Sequence, residues 1–338
     1  QDITIHDCTR PLKPWSDNRS IRFIEGTVTT VDRTQRVLTY EDRVTHQTET
    51  LRYDDLVFAQ GGSSNFFRSI GAKEYAYTLK RAEDVERIQA KLRTCIDQAA
   101  QAPSTEAKRD LLRFGVAGGG PAGIESVCSL RRYSQKYSRE HHPELLPLLS
   151  FFVIESSPDI LPGFPDKMRI DAKAELARQE IALYAGEAVT EVRSQEVITP
   201  ARTIASSLLL WTAGIAPNAI PTNPAFDSTS PTGLPLLKNT TQLDEHHFVG
   251  GDVGAFEWDK KRIPKNGQIA MQLGRQIAEV LIGRHQNKTV TIRPPEIKGF
   301  FLGMGEVGFL SIGPWVLRSR WITLFRLYFY RFRMWQIL

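Results

Sequence analysis

The feature that most constrains this fold is a set of three glycines at GxGxxG spacing, placed between a buried-strand pattern and a helical pattern. The apolar run at residues 114–117 leads into Gly118, Gly120 and Gly123. In that context the first glycine permits a tight turn, the second lets backbone N–H groups approach a pyrophosphate, and the third lets the helix pack on the strand. The spacing predicts a Rossmann-type βαβ unit that binds a dinucleotide, against the alternative of a purely structural glycine turn.

An acid closes the second strand of this unit. The apolar run at residues 149–155 ends in Glu155, where a carboxylate bonds the ribose hydroxyls of adenosine and repels a 2′-phosphate. Glu155 therefore favours NADH over NADPH. It lies further from Gly123 than the usual interval of about 20 residues, and the charged segment at residues 131–142 accounts for the extra length. A solvated strand end is the alternative interpretation.

Composition and length describe an ordinary globular protein. A chain of 338 residues, 41% apolar and 24% charged, is long enough for about two domains. The net charge of +5 hints at anionic partners such as nucleotides or lipid headgroups, depending on where the charge lies. Cys8, Cys95 and Cys128 lie far apart without a CxxC pair, so neither a disulfide framework nor a metal site is predicted.

The remaining pattern predicts an α/β chain. From residue 112 strands and helices alternate, which indicates a parallel sheet, and residues 101–108 are expected to be a linker. The sequence contains no run of about 18 uncharged apolar residues, so no membrane-spanning helix is predicted. The expected elements are strands within residues 21–60 and at 181–193, 207–212 and 247–250, with helices at 81–100 and 267–283.

Two further strand ends carry turns of small residues. Ala59, Gln60 and Gly61 close one buried strand, and Gly251 with Asp252 follows another. An Asp directly after a strand-end glycine pair accepts a hydrogen bond from a sugar hydroxyl, while the next backbone N–H groups meet phosphate. Taken alone, each is equally an ordinary strand–turn end.

The order of these segments resembles the FAD-dependent pyridine nucleotide-disulfide oxidoreductases, and within them the type II, single-subunit NADH:quinone oxidoreductases. That family also carries a long segment before its ribose acid, as this chain does before Glu155. The matching segments are YDDLVFAQG at 53–61, GGGPAGIE at 118–125, LWTAGIAPN at 210–218, FVGGD at 248–252 and GQIAMQ at 267–272.

The resemblance implies that electrons pass from NADH through FAD to a membrane quinone. Gln268 and Gln272, four apart on one helix face, would border the quinone pocket, and Glu125 matches a family acid near the nicotinamide and flavin. Gly267 stands where the family has alanine. The implied FAD-binding residues are Ala59, Gln60, Gly61, Gly251 and Asp252, and those implied for NADH are Gly118, Gly120, Gly123 and Glu155. Gly214 is implied to bind a cofactor as well.

The resemblance also implies two Rossmann-type domains, with the NADH-binding domain inserted into a discontinuous FAD-binding domain. No segment before residue 21 resembles the family's first GxGxxG, so the FAD-binding domain is expected to be incomplete in this sequence. The expected divisions are the first FAD part with a connector helix at residues 1–108, the NADH-binding domain at 109–235, the second FAD part at 236–290 and a membrane-association region at 291–338.

The end of the chain has the pattern of an amphipathic helix, predicted here at residues 315–338. Aromatic residues recur at about 3.5-residue intervals with arginines beside them, which fits a helix in the headgroup layer of an anionic membrane. A helix packed on the body of the protein is the alternative. The expected partners are therefore a quinone and an anionic membrane surface on its cytoplasmic face, with a possible homodimer and no nucleic acid. The aromatic residues are Trp321, Phe325, Tyr328, Phe332 and Trp335.

Two other functions stay open. A sulfide:quinone or disulfide reductase-like flavoenzyme needs reactive cysteines, and Cys8, Cys95 and Cys128 do not fall where those enzymes place them. A non-catalytic NADH-binding redox sensor on the same scaffold is the alternative from a different class. Gln268 and Gln272 argue against it, because they match residues at a quinone pocket.

Overall fold

The computed structural model describes residues 21–227, 234–323 and Phe325, and these residues form two compact units. The first unit takes the residues up to Ser63 with Ile215–Ile297, and the second takes Ser64–Gly214 with the residues from Lys298 onward. The domain division predicted from the sequence, with boundaries at 108, 235 and 290, stays a prediction. The amphipathic helix after Arg81 and the strands after Gly299 both pack within the second unit.

The described elements are numbered in chain order. The helices are α1 (Ala72–Tyr75), α2 (Ala82–Gln101), α3 (Thr105–Leu111), α4 (Pro121–His141), α5 (Asp166–Arg178) and α6 (Gly267–His285). The strands of the first half are β1 (Gly26–Asp32), β2 (Val37–Asp42), β3 (Thr48–Arg52), β4 (Leu56–Phe58), β5 (Gly62–Ser64), β6 (Arg113–Ala117), β7 (Ser150–Glu155), β8 (Ile181–Ala185), β9 (Glu191–Val192), β10 (Glu196–Ile198) and β11 (Thr203–Ala205). The remaining strands are β12 (Leu208–Trp211), β13 (Ile215–Pro217), β14 (Thr222–Asn223), β15 (Leu236–Lys238), β16 (His247–Val249), β17 (Ala255–Trp258), β18 (Lys261–Arg262), β19 (Phe300–Met304), β20 (Val307–Ile312) and β21 (Trp315–Ser319).

A parallel sheet in the order β12-β6-β7-β8 is the centre of the second unit. Its strands are mainly apolar because both faces of the sheet are covered, as in α/β proteins generally. Phe114 and Val116 point to one face, where α2 and α4 cover them. Phe152 and Ile154 point to the other, against the antiparallel sheet β11-β10-β9. The period of two along each strand thus builds two separate cores on one sheet.

Helix α4 explains why Glu155 follows the glycines at so long an interval. Most of the charged segment at residues 131–142 belongs to this helix, which continues through His141. Val127 and Leu130 face the core, and small Ser134 and Ser138 keep the same face buried in the later turns. The charged residues occupy the opposite face, which is the normal pattern of an amphipathic surface helix.

The expected linker at residues 101–108 is partly helical. Helix α3 begins at Thr105, and the Ser104 hydroxyl accepts a hydrogen bond from the Ala107 N–H at 3.1 Å. Serine is a favoured N-cap because it satisfies one of the first N–H groups of a helix. The linker prediction was therefore wrong for residues 105–108.

The first unit is built mainly of small sheets around one helix. Strands β14-β1-β2-β3 form one sheet, and the short strands β16 and β4 pair in parallel. Helix α6, predicted at 267–283, closes the core of this unit through Ile269 and Leu273, which pack against Phe58 and Val249 at the ends of β4 and β16. The carboxyl ends of two parallel strands and the start of α6 therefore belong to one compact body.

The end of the chain departs from its prediction. Residues 315–319 form strand β21, which pairs with β20 in the register Ile312↔Trp315. Gly313, at φ 54°, and Pro314 make the connecting turn, a turn signal that interrupts a helix. Residues 320–323 and Phe325 are helical, and the other residues predicted in that helix lie outside the described part of the chain. Among the described helices, none combines the length and apolar character needed to cross a membrane.

Candidate functional site

The glycine loop of the second unit follows β6. The Gly118 N–H donates to the Ile154 carbonyl at 2.8 Å, so the loop leaves the sheet directly beside β7. Gly118 has φ 113°, a conformation that glycine adopts without the steric cost that a Cβ brings. Thr212, which follows β12, donates its hydroxyl to the carbonyls of Ala117 and Gly118 at 3.0 and 3.3 Å. Three neighbouring strand ends thus fix the loop.

The other two glycines differ sharply in their surroundings. A Cβ added to Gly123 would lie 1.8 Å from the Gly118 carbonyl oxygen and 2.8 Å from the Thr212 hydroxyl, so Gly123 permits close contact between helix and loop. A Cβ added to Gly120 would meet no atom of the protein within 4 Å. Gly120 is the N-cap of α4, and no described side chain caps that helix. The open space therefore lies at a helix N-terminus, where backbone N–H groups and the helix dipole favour an anion.

Glu155 is held at the edge of this space. Its Oε2 accepts from the Gly119 N–H at 2.6 Å, and its Oε1 accepts from the Ser157 N–H at 2.7 Å. The side chain is only 9% exposed. Oε1 also accepts from the Ser156 hydroxyl at 3.2 Å, so Oε2 is the oxygen with a second lone pair that can accept from a ligand hydroxyl. The structure brings Glu155 and the glycine loop together, as the motif predicts.

Glu125 has a contact that the sequence did not indicate. It lies on the first turns of α4, and its Oε1 accepts from the Gly303 N–H in β19 at 2.8 Å. The carboxylate therefore ties the N-terminal turns of α4 to the hairpin of β19 and β20.

Gly214 lies at the end of the second unit. It has φ 68°, and a Cβ there would lie 2.4 Å from the Phe67 ring. Its small size is therefore required for packing against that ring.

In the first unit, the segment after β4 is fixed by a reciprocal pair of amide contacts. Gln60 Nε2 donates to the Asn218 carbonyl at 2.9 Å, and Asn218 Nδ2 donates to the Gln60 carbonyl at 3.0 Å. Next to them Gly61 has φ 65°, and a Cβ there would meet nothing within 4 Å. Ala59, between Phe58 and Gln60, completes an exposed turn over open space.

The neighbouring turn follows β16. The Gly250 N–H donates to the Phe58 carbonyl at 3.0 Å, and Gly251, at φ 73°, begins a single 3-10 turn over Gly251–Val253. The carboxylate of Asp252 accepts no hydrogen bond from any described residue, while its backbone carbonyl accepts from Lys265 Nζ at 2.6 Å. Burial lowers the pKa of Lys265. Asp252 thus offers a carboxylate with free acceptor positions beside two strand ends.

The two predicted glutamines begin α6, whose first N–H groups are capped by Asn266 (Oδ1 to the Ile269 N–H, 3.0 Å). Gln272 Nε2 donates to the Glu296 carbonyl at 2.8 Å and to the Gln268 carbonyl at 3.2 Å. Its Oε1 accepts from the Glu296 N–H at 3.0 Å. Both amide atoms of Gln272 are therefore engaged in holding the segment after Arg293, whereas the Gln268 side chain lies half-buried one turn earlier.

A buried polar network in the first unit was missed by the sequence analysis. His247 Nδ1 lies 2.6 Å from Asp244 Oδ1, and His247 Nε2 lies 2.8 Å from the Tyr53 hydroxyl. Asp244 Oδ2 accepts from Arg33 at 2.8 Å, and the Arg33 guanidinium stacks 3.6 Å from the Phe226 ring centroid. Burial raises the pKa of Asp244, but hydrogen bonds from Arg33, the His246 backbone and His247 outweigh it and lower that pKa to about 2. The only sequence signal was a histidine inside a strand pattern, and that is usually a satisfied core residue.

The two cysteines in the described part of the chain, Cys95 and Cys128, are buried thiols. Burial raises the pKa of both, that of Cys128 to about 12. Thiol–disulfide chemistry requires an accessible thiolate, so neither residue is suited to it.

The sequence matches the pyridine nucleotide-disulphide oxidoreductase family over residues 10–292. It is 31% identical over 246 residues to external NADH-ubiquinone oxidoreductase 2, mitochondrial, of Saccharomyces cerevisiae, covering 69% of this chain and 44% of the yeast protein. It is 26% identical over 314 residues to a probable NADH dehydrogenase of Dictyostelium discoideum, covering 89% of this chain and 67% of that protein. The chain thus spans only part of the length of these relatives.

The fold is similar to that of NDH2 from Plasmodium falciparum solved in complex with RYL-552. The TM-score is 0.84 at 16% identity, with 95% of this chain and 83% of that chain covered. NDH2 from the same organism in complex with NADH gives a TM-score of 0.81, also at 16% identity. The predicted α/β fold of the Rossmann type is confirmed.

Proposed function

This chain belongs to the pyridine nucleotide-disulphide oxidoreductase family, and from that premise we propose that it oxidises NADH and passes the electrons through FAD to a quinone. The resemblance on which the sequence analysis relied is confirmed by the family match. The observation that carries the proposal is the open space over Gly120, bounded by an uncapped helix N-terminus and by Glu155. The names of the yeast and Dictyostelium relatives support the NADH dehydrogenase activity, and the yeast name supports the quinone acceptor.

We assign NADH to the second unit. The pyrophosphate would sit over Gly120, where it accepts from the first N–H groups of α4. Gly118 and Gly123 keep the loop close to the helix, and Glu155 accepts from the ribose hydroxyls. A 2′-phosphate beside this buried carboxylate would be repelled, which makes the site selective for NADH over NADPH.

We assign FAD to the strand ends of the first unit, and the cofactor-binding role of Gly214 stays a prediction. Gly61 leaves space for a ligand, and the Asp252 carboxylate has free acceptor positions for a hydroxyl. Gln60 is fixed by Asn218, so Ala59 and its neighbours form a rigid edge. FAD, when bound, supplies the two-electron chemistry between nicotinamide and quinone that no side chain provides.

We give the two glutamines different roles on the quinone side. Gln272 positions the segment at Glu296, since both of its amide atoms bond that backbone. Gln268 is the residue proposed to border the quinone. For Glu125 we propose a positioning role: its carboxylate holds the Gly303 backbone, and this fixes the N-terminal turns of α4 against β19.

We also propose that the protein attaches peripherally to an anionic membrane surface, on the cytoplasmic face. Trp315 and Trp321 are 72% and 77% exposed, and Leu317 between them is also exposed. Arg318 and Arg320 lie between Leu317 and Trp321 in the sequence. Aromatic residues edged by arginines suit the headgroup layer. A homodimer stays a prediction.

The two other functions predict different behaviour. Disulfide or sulfide chemistry would need an accessible thiolate, and Cys95 and Cys128 are both buried. A redox sensor would bind NADH without turnover.

The experiment is NADH oxidation by the FAD-loaded protein with and without a short-chain quinone. We expect quinone-dependent oxidation of NADH and little oxidation of NADPH. Gln268→Ala should slow reoxidation of the flavin by quinone in stopped-flow measurements and leave its reduction by NADH intact. Gln276→Ala, two turns further along α6, is the matched control. Binding of NADH without turnover would overturn the proposed activity, and equal losses in both half-reactions would overturn the role of Gln268.

A further inference from the structure

A polar cavity of about 170 Å³ lies in the second unit, between α4, α5 and the turn that joins β19 to β20. Its floor is formed by the buried side chains of Cys128 and Gln179. Its walls carry three guanidinium groups, from Arg131, Arg132 and Arg178. None of these residues takes part in the proposed NADH, FAD or quinone sites.

The local sequence explains why the arginines meet. Cys128, Arg131, Arg132 and Gln135 stand at positions i, i+3, i+4 and i+7 of α4, so they share one helix face. All four line the cavity. Arg178 is the last residue of α5 and reaches the same space from the opposite side.

Buried hydrogen bonds fix the Arg178 side of the cavity. Glu175, almost fully buried, accepts from Arg178 Nε at 2.9 Å and from Arg318 at 2.7 Å. Gln179 Nε2 donates to the same carboxylate at 2.7 Å and to the Met304 carbonyl at 3.0 Å. The Arg178 guanidinium is therefore held by a rigid network, and α5 is joined to the hairpin β19–β20.

The charges on the lining are not balanced. Among the described residues, neither Arg131 nor Arg132 has a carboxylate within 4 Å. The acidic residue on the lining, Glu306, is 74% exposed and lies 3.5 Å from Arg320. Arg178 is already paired with Glu175, so the unpaired positive charge of the lining is that of Arg131 and Arg132, an arrangement that an anion would stabilise.

We propose that this cavity binds a phosphate group. The planar guanidinium fork matches phosphate oxygens and donates two parallel hydrogen bonds, which makes arginine the preferred partner of such groups. A lipid headgroup is the favoured source, because Arg320 links Glu306 to exposed Trp321 on the same unit. That source rests on the membrane attachment proposed above, whereas the phosphate site itself does not.

The first arm of the test uses inorganic phosphate and the FAD-loaded protein. Binding is measured by isothermal titration calorimetry in chloride buffer at constant ionic strength. The variant is Arg131→Gln with Arg132→Gln, and its matched control is Arg109→Gln with Arg139→Gln, which removes two exposed charges of the same unit outside the cavity. We expect about tenfold weaker phosphate binding in the cavity variant and no change in the control. Equal phosphate binding by both variants would overturn the site.

The second arm identifies the source. The same proteins are sedimented with phosphatidylcholine vesicles, with and without phosphatidic acid. If the cavity variant loses its preference for phosphatidic acid and the control keeps it, the phosphate belongs to a lipid. If both variants keep the preference for phosphatidic acid while only the cavity variant binds inorganic phosphate more weakly, the site binds a soluble phosphate and the lipid source is wrong. NADH oxidation should be unchanged in both variants. A protein that fails to oxidise NADH would therefore contradict the proposed activity without contradicting the phosphate site.

Discussion

Two glycine-to-alanine substitutions in one loop should have opposite consequences. Gly120 has φ −70° and ψ 175°, which alanine adopts freely, and its Cβ would meet no protein atom within 4 Å. Gly123→Ala instead would place a Cβ 1.8 Å from the Gly118 carbonyl oxygen. Gly120→Ala should therefore leave the fold intact and obstruct the ligand, whereas Gly123→Ala should damage the fold itself.

The magnitudes follow from this geometry. Alanine at a compatible position stabilises by roughly 0.4–1 kcal/mol through the unfolded state, so Gly120→Ala should be as stable as wild type or slightly more stable. A methyl group over the helix N-terminus would keep the pyrophosphate from at least one backbone N–H. A hydrogen bond to a charged group contributes about 1.5–3 kcal/mol, so NADH should bind roughly 10- to 150-fold more weakly. Overpacking at Gly123 should cost about 1–3 kcal/mol of stability.

The assay combines urea unfolding with titration of NADH fluorescence on wild type and both variants. The expected result for Gly120→Ala is an unchanged unfolding midpoint with weakened NADH binding. Gly123→Ala should show a lower midpoint. If Gly120→Ala binds NADH as wild type does, the pyrophosphate does not sit over Gly120 and the assignment of the loop is refuted.

Three further predictions concern individual side chains. Glu155→Gln keeps one acceptor oxygen and removes the charge that repels a 2′-phosphate, so NADPH oxidation should rise relative to NADH; an unchanged preference would contradict the role of Glu155. Gln272→Ala removes the bonds to Glu296, and hydrogen exchange at the Glu296 amide should accelerate, while Gln268→Ala should leave that rate unchanged. Asp244→Asn should be destabilised by about 1 kcal/mol at pH 7, a value discounted because the Asp244 side chain is 34% exposed. Because the pKa of Asp244 is depressed to about 2, the advantage of wild type should be full above its usual pKa of 3.8 and vanish as the pH falls towards 2. A constant difference in thermal midpoint from pH 7 to pH 2 would contradict this account.

The glycine loop after β6 was predictable because the residues that determine its conformation are close together in the sequence. Gly118, Gly120 and Gly123 lie within six consecutive residues, and each is required by a contact or an open space that the motif itself specifies. Glu155 was found because it ends a strongly apolar strand. The helical structure of the charged segment at residues 131–142 was not predicted, because the inner face of this part of the helix is formed by buried serines rather than by large apolar side chains.

Contacts between distant segments were not predictable from the sequence. Thr212 supports a loop more than ninety positions earlier in the chain, and the Asp244–His247–Tyr53 network joins segments that no motif connects. The hydrogen bonds of the Gln272 amide to the Glu296 backbone were also not predictable, because only the fold brings these two residues together. Strand β21 was not predicted, because the aromatic periodicity that begins near its end led to the prediction of a helix from residue 315.

The β19–β20 hairpin, whose Gly303 N–H donates to Glu125, has a consequence for synthesis on the ribosome. Glu125 and Gly303 are 178 residues apart, and Leu302 and Phe309 complete the same core that α4 covers. At about 5–20 residues per second, roughly 10–35 s pass before the hairpin follows the helix out of the ribosome. During that interval the nascent second unit exposes the apolar surface that β19 and β20 later cover. We therefore expect the growing chain to depend on chaperones that bind apolar surfaces until residues 300–312 have emerged.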